Sequence, residues 1–392
     1  MSKEKKMPTA NEFIPRSDGP LDVLLFGGGP YTINASFQVL QCLRIYDRFR
    51  LHLLSPNQYT PLRFSRWIKS FTTIKTQNPS EKLAALKDTV RSKQISLVVP
   101  LSAPEVGLLG QYGDDELSSL TRWLRIPKTE SFNVANSKVE LVRFLSEKGI
   151  NHPKSIIIEN KKAIEAIERL RFPVIAKPSQ GAGGGGIYRC ESPEQLNQVL
   201  DENLQEIPYL VQEYISGVDV GFGAFCIDGK IVYSVTQRDL DDKNGFFGPS
   251  KRLEFCTDDS VVEAASKLFR LLAWEGVGQI DFRQDSRTGE LFVLEINPRF
   301  WGSLYGAKLM GVNFPLIACL DALAESPPPI VQKFGKYINH TTYLKERLKQ
   351  FMSKNYKTEY KALDSNLPEF LSDPSALSAD IAQRIWSHLP FN

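Results

Sequence analysis

Residues 172–186 read Phe-Pro-Val-Ile-Ala-Lys-Pro-Ser-Gln-Gly-Ala-Gly-Gly-Gly-Gly, and Ile187 to Cys190 follow as a second strand-like run. A strand delivers Lys177, a loop with five glycines follows, and another strand returns. Glycine lets backbone N–H groups approach phosphate oxygens without interference from a Cβ. Lys177 would bring a point charge to the same phosphates. A glycine loop without a ligand is the alternative, because such runs are common. The chain has no GxxxxGK[ST] stretch, so this is not a P-loop. Gly27-Gly28-Gly29 near the start puts Thr32 where a dinucleotide fingerprint needs its third glycine. The next strand ends Leu54-Ser55, without the acidic residue that would hold a ribose. A tight strand-to-helix turn is the better reading there.

Further along, two strands carry polar residues at a spacing of two. In 276–282, Gly-Val-Gly-Gln-Ile-Asp-Phe, Asp281 shares a face with Arg283. In 291–299, Leu-Phe-Val-Leu-Glu-Ile-Asn-Pro-Arg, the residues Glu295, Asn297 and Arg299 lie two apart. A strand turns alternate residues to one side, so Leu294 and Ile296 are expected on the opposite side. Antiparallel pairing would set Asp281 beside Glu295. Two carboxylates and an amide oxygen are hard ligands, of the kind magnesium on a triphosphate takes. Arg299 can neutralise a transferring phosphoryl group. A solvated strand face with an ion pair explains one Asp and one Arg, but fits a polar triad inside apolar strands less well.

Around these two stretches the chain alternates helix and strand. Ser137-Lys138-Val139-Glu140, Ser192-Pro193-Glu194-Gln195 and Ser260-Val261-Val262-Glu263 have capping-box form, and Gly149 suits a left-handed helix end. Strand-like runs cover 173–177, 209–214, 220–227, 231–236, 279–283 and 291–296. Upstream, Leu21–Phe26, Leu51–Leu54 and Ile95–Val99 alternate with helical stretches, as in βαβ units with a mostly parallel sheet. The expected division is a disordered tail at 1–20, a Rossmann-like α/β unit at 21–128, an α+β unit at 129–327 and a helical extension at 328–392. That extension, with Tyr337, Trp386 and Phe391, is expected to cover the site, mediate dimers or cap the fold.

The chain has 392 residues, of which 42% are hydrophobic and 24% charged, as in ordinary globular proteins. A net charge of +3 gives no case for a nucleic-acid or membrane partner. Its five cysteines form no CxxC pair, and its four histidines are scattered, so neither a zinc site nor a disulfide framework is indicated. The first residues lack the apolar core of a signal peptide, and no apolar run reaches the roughly 20 residues of a membrane span. A cytoplasmic protein is expected.

Five blocks in order resemble the ATP-grasp superfamily, in particular the branch of carbamoyl phosphate synthase large subunits and biotin carboxylases. They are NSKVELVRFLSEKGI (136–150), FPVIAKPSQGAGGGG (172–186), YLVQEYISGVDV (209–220), GVGQIDF (276–282) and LFVLEINPRFWGSL (291–304). The resemblance covers about 21–324. It implies a Rossmann-like pre-ATP-grasp domain followed by an ATP-grasp domain of two α+β lobes. It implies that Lys138 and Lys177 contact ATP phosphates and that 181–186, with Gly183, Gly184 and Gly185, form the loop that closes over them. Gln212, Glu213 and Ile215 correspond to the hinge that reads adenine, partly by backbone groups, and Asp219 to a ribose ligand. Asp281, Glu295 and Asn297 correspond to ligands for Mg2+, with Mn2+ as a substitute, and Arg299 to the arginine that supports phosphoryl transfer.

The implied activity is an ATP-dependent carboxylate–amine ligase working through an acyl phosphate. Its partners would be small-molecule or peptide carboxylates and amines, and a homodimer is compatible. Carbamoyl phosphate synthase large subunits carry two such modules and this chain one, so carbamoyl phosphate synthesis is not expected. The sequence after Asn297 also departs from the biotin carboxylase pattern, and no biotinyl-carrier segment is apparent. A nucleotide-binding regulator without turnover and a ligase using a thiol or other nucleophile are the alternatives. Arg238, Asp239 and Lys251 are candidates for the acceptor pocket or simple loop charges.

Overall fold

The computed structural model describes residues 19–29, 32–159, 167, 170–181, 185–203, 208–241, 248, 250–353 and 356–386, excluding the side chains of 383–386. The tail expected at 1–20 therefore lies outside them up to residue 18, as do Gly183, Gly184, the Trp386 side chain and Phe391.

The first unit is a five-stranded parallel sheet of order β3-β2-β1-β4-β5. Its strands are β1 (Leu21–Phe26), β2 (Phe49–Ser55), β3 (Ile68–Thr73), β4 (Leu97–Pro100) and β5 (Arg122–Trp123). Helices α1 (Ile33–Leu43), α2 (Pro79–Lys93), α3 (Ala103–Tyr112) and α4 (Asp115–Leu120) lie between them. β1 is buried along its whole length, as a strand covered on both faces must be. Val23 and Leu25 enter one apolar cluster, while Leu24 and Phe26 enter another. The edge strands β3 and β5 have weak patterns in the sequence because both are half-exposed.

Helices α5 (Thr129–Asn136) and α6 (Lys138–Glu147) lead into a four-stranded antiparallel sheet of order β6-β9-β7-β8. Its strands are β6 (Ser155–Ile158), β7 (Val174–Pro178), β8 (Tyr188–Cys190) and β9 (Tyr209–Glu213), with α7 (Pro193–Glu202) before the last. Ser137 caps α6 by accepting from the Glu140 N–H at 3.2 Å. The Glu140 carboxylate takes Arg143 instead of completing the box.

The third sheet has six antiparallel strands in the order β14-β13-β10-β11-β12-β15. They are β10 (Gly217–Ile227), β11 (Lys230–Asp239), β12 (Arg252–Cys256), β13 (Gly276–Asp285), β14 (Leu291–Asn297) and β15 (Gly335–Ile338). Helix α8 (Asp259–Leu271) covers part of one face. Its cap is Asp258, which accepts from the N–H groups of Ser260 and Val261, so the box expected at Ser260 is two residues too late. An ionised carboxylate accepts more strongly than a hydroxyl, and Asp258 sits two residues earlier. The C-terminal stretch is not wholly helical, as β15 pairs with the otherwise open edge of β12 and buries Tyr337 and Ile338. The remaining helices are α9 (Leu304–Leu309), α10 (Phe314–Ala322), α11 (His340–Met352), α12 (Leu367–Leu371) and α13 (Pro374–Trp386).

One apolar cluster runs from β1 and α1 through α9 and α10 to Phe225, Phe255, Tyr337 and Phe370. Polar clasps tie the same parts together. The Tyr305 N–H donates to Gln38 Oε1 at 2.8 Å, and Asn313 Nδ2 donates to the Cys42 carbonyl at 2.9 Å. Lys308 and Tyr305 both donate to Glu369 from the C-terminal segment. The middle and end of α1 are thereby fixed against the segment that follows Arg299.

Gly223 of β10 shows how tightly the third sheet meets that segment. A Cβ there would run into the indole ring of Trp301. Gly223→Ala is expected to destabilise the fold by about 1–3 kcal/mol through overpacking. Urea unfolding would show a lower midpoint at an unchanged slope, and an unchanged midpoint would refute the close approach.

Candidate active site

A cleft of about 770 Å³ opens between the second and third sheets and reaches the start of α1. Lys138, Lys177, Gly181, Gly185, Gln212, Glu213, Ile215, Asp219, Asp281, Glu295, Asn297 and Arg299 all line it. The structure thus brings these candidates for the nucleotide, the metal and the phosphoryl group together in one cleft.

The register explains the acidic centre. Asp281 of β13 pairs directly with Glu295 of β14, and Gln279 with Asn297. A bulge falls between Asp281 and Phe282, so the pairing skips Leu294. In a bulge two residues oppose one, which re-aims a side chain. Leu294 lines the cleft beside Glu295, while Val293 and Ile296 remain in the core. Strict alternation therefore misplaces Leu294. Its carbonyl accepts from Lys177 Nζ at 3.5 Å.

Three cations face Glu295. Lys138 Nζ lies 4.0 Å from its Oε2, and Lys177 and Arg299 act on it at longer range. Burial opposes ionisation of Glu295, but the three cations outweigh it and hold the carboxyl below its ordinary range. Lys177 is 6% exposed, and burial pushes its ammonium down to about 8 against the pull of Glu295. Lys138 also donates to the Gly181 carbonyl at 3.2 Å, linking the start of α6 to the glycine loop.

Among the described residues no three His, Cys, Asp or Glu side chains cluster as a closed metal site. What the cleft offers is the carboxylate pair Asp281 and Glu295 with one amide. Asn297 Nδ2 lies 3.1 Å from Asp281 Oδ2 and 3.4 Å from Glu295 Oε1. This set fits a magnesium ion that keeps waters and takes further oxygens from a polyphosphate. Ligation by Asn297 itself requires its amide to turn over, since its nitrogen faces the carboxylates here.

At the hinge, Gln212 donates to Ser155 Oγ at 2.9 Å. Glu213 accepts from the Arg171 N–H at 3.0 Å and faces Lys154 at 3.7 Å, so its carboxylate is engaged and a base contact falls to its backbone. Arg283 holds the Ile215 carbonyl at 2.9 Å and Asp219 at 2.7 Å. A ribose would share Asp219 with that arginine.

Other cleft residues are not evident in the sequence. Thr32 and Asn34 come from the first unit, Gln237 from β11, Gln279 from β13, and Trp301 and Ser303 from the segment after β14. Gln279 stands two residues before Asp281, and the same period-two pattern marks it. Gln237 and Asn34 carry no such signal, as only the tertiary fold brings them in. Of the three acceptor candidates, Asp239 lines the cleft. Arg238 points to the opposite face, where it pairs with Gln284 and Asp258, and Lys251 is not part of the lining.

Residues 135–303 match the ATP-grasp domain family. The carbamoyl phosphate synthase arginine-specific large chain of Bacillus subtilis is 26% identical over 272 residues, covering 66% of this chain. That alignment spans only 26% of the length of the relative. The D-alanine–D-alanine ligase of Carboxydothermus hydrogenoformans is 28% identical over 241 residues, covering 53% of this chain and 76% of the ligase. Among solved structures, N5-carboxyaminoimidazole synthetase from Staphylococcus aureus, complexed with ADP, superposes with a TM-score of 0.65 at 15% identity. That match covers 86% of this chain and 87% of the synthetase. No helix among the described residues is long and apolar enough to cross a membrane.

Proposed function

Taking as premise that the chain carries an ATP-grasp domain, we propose that it is an ATP-dependent carboxylate–amine ligase that forms an acyl phosphate. The observation that carries this reading is the convergence of Lys138, Lys177 and Arg299 on Glu295 and Asp281 in one cleft. Three cations suit a triphosphate, and two carboxylates suit its divalent ion. A magnesium ion held by Asp281, Glu295 and Asn297 would neutralise phosphate charge. Gln212, Glu213 and Ile215 would hold the base, Asp219 the ribose, and the 181–186 loop would cover the phosphates.

In the first step an oxygen of the substrate carboxylate forms a bond to the γ-phosphorus, and the bond from that phosphorus to the β,γ-bridging oxygen breaks. The electron pair leaves with ADP. Lys138 and Lys177 orient the phosphates, and Arg299 offsets charge on the transferred group. In the second step an amine nitrogen forms a bond to the acyl carbon, the bond from that carbon to the phosphate oxygen breaks, inorganic phosphate leaves with the electron pair, and the nitrogen gives up a proton to the departing phosphate or to solvent. Positioning and charge offset supply most of the acceleration in such transfers.

The test is ADP release with carboxylate panels, first with hydroxylamine alone and then with paired amines. Hydroxylamine converts an acyl phosphate to a hydroxamate. The expected result is carboxylate-dependent ADP and hydroxamate. Release of AMP and pyrophosphate would exclude the acyl phosphate, and tight MgATP binding without any turnover would favour a regulator.

A further inference from the structure

Helix α11 turns an apolar stripe away from the protein. Past its first residue, His340, which stacks on Phe370, its inner face carries Thr342, Tyr343 and Glu346, all buried. Tyr343 packs with Ile338, Tyr360 and Leu367. On the outside, Leu344, Leu348, Phe351 and Met352 are between 46% and 89% exposed. Each residue advances about 100° around a helix axis. These four therefore share a stripe roughly 100° wide, centred almost opposite the buried face. Single exposed apolar residues are ordinary on a surface, but a contiguous stripe marks a place of contact.

The residues beside the stripe decide what can cover it. Lys345 and Lys349 border it on one side and Arg347 on the other, and all three are exposed. Arg347 donates to Gln350 at 2.7 Å, and Lys349 lies 6.0 Å from the Tyr356 ring, so neither contact offsets the charge. Glu346 is the acid of this helix, and it points inward. Arg252 of β12 donates to it from Nε at 2.7 Å, and Thr358 Oγ1 donates to its other oxygen. The outer face of α11 thus combines apolar side chains with cations and carries no acid. A net charge of +3 over the whole chain conceals this local excess.

Two copies joined through this face would bring like cations together, which disfavours self-association. An anionic surface is complementary to it. Lys and Arg stems can lie along the stripe while their charged heads reach the headgroups. Apolar residues at the acyl boundary, flanked by cations at the headgroups, are the pattern of a helix lying in the plane of a membrane interface. With 13 residues α11 is about 20 Å long, short of the roughly 30 Å hydrocarbon core, so it cannot span.

We propose that the outer face of α11 docks the protein onto an anionic lipid bilayer, which it touches without crossing. This does not depend on the ligase reading, since α11 lies outside residues 135–303 and contributes no residue to the cleft lining.

The experiment is flotation of the full chain in a lipid titration, with vesicles of phosphatidylcholine alone and of phosphatidylcholine mixed with phosphatidylserine. The chain is expected to float with the mixed vesicles, to stay behind with phosphatidylcholine alone, and to be released by high salt. Lys345→Gln/Arg347→Gln/Lys349→Gln should bind about a hundredfold more weakly, the scale of three cations near an anionic surface. Leu348→Ser/Phe351→Ser should lose at least about tenfold. Both variants should keep the wild-type urea midpoint, because the changed side chains are exposed. Phe351→Trp gives a second readout, as its added fluorescence should shift to the blue with mixed vesicles only. The proposal is overturned if mixed vesicles do not bind, if either multiple variant binds like the wild type, or if the added fluorescence stays in place. A dimer in sedimentation that the Ser variant splits would assign the face to a second copy and overturn it too. Binding of a polyglutamate peptide in place of the vesicles would assign it to an acidic protein, with the same consequence.

Discussion

Glu295→Gln is expected to lower the rate of ADP release at saturating ATP and carboxylate by about 10³-fold, the scale of losing a preorganised charge at a transferring group. Glutamine keeps the shape of the side chain and removes its charge. Lys138, Lys177 and Arg299 then face one another without their shared anion. Asp281 alone would hold the divalent ion poorly, so the magnesium dependence should shift to higher concentrations as well. Steady-state rates across a magnesium series separate the two effects. Glu290→Gln is the control, because Glu290 lies on the same hairpin but is exposed and outside the cleft. It should match the wild type. A Glu295→Gln enzyme within threefold of wild type would show that the carboxylate pair is not the reaction centre.

How much of this was legible in the sequence depends on the kind of signal. The pairing of Asp281 with Glu295 follows from period-two patterning and antiparallel register, and the structure has that register. Lys177 could be read as a phosphate candidate because it stands near the end of a strand before a glycine loop, whereas Lys138 came from the family resemblance, which its place at the start of a capped helix fits. Leu294 was misassigned because one bulge re-aims two successive side chains, and no residue type announces a bulge. Of the two readings open for Arg238, the acceptor pocket falls away by alternation: its neighbours Gln237 and Asp239 turn to the cleft, and Arg238 turns away from it. Gln237, Ser303 and Asn34 were not legible at all. They come from three separate parts of the chain, and only packing of α1 against α9 and α10 brings the outer two together. The strand β15 was missed because four residues carry too little pattern to mark an edge strand.

Lys177 gives the second large effect, and it has opposite signs for binding and for stability. Its ammonium titrates near 8, below the ordinary value of 10.5, because burial disfavours the charged form. MgATP binds the charged form, so affinity should fall as pH rises above 8, by up to about tenfold for each further unit, until the pH passes the raised pKa of this lysine in the complex. Binding at pH 8.5 should take up protons, since the phosphates restore the charge. Calorimetry in two buffers of different ionisation enthalpy measures that uptake. The ligand-free protein behaves in the reverse way. Between 8 and 10.5 the unfolded chain binds the Lys177 proton and the folded chain does not, so folding stability rises with pH across that window. The full difference is about 3 kcal/mol, at 1.36 kcal/mol per unit. Lys177→Met removes both dependences, and the wild type minus variant difference isolates them from other titrations. Lys177→Arg should bind MgATP with little change between pH 7.5 and 9.5, because guanidinium stays charged throughout. An affinity that is flat in the wild type over the same range would show that this ammonium does not meet the phosphates.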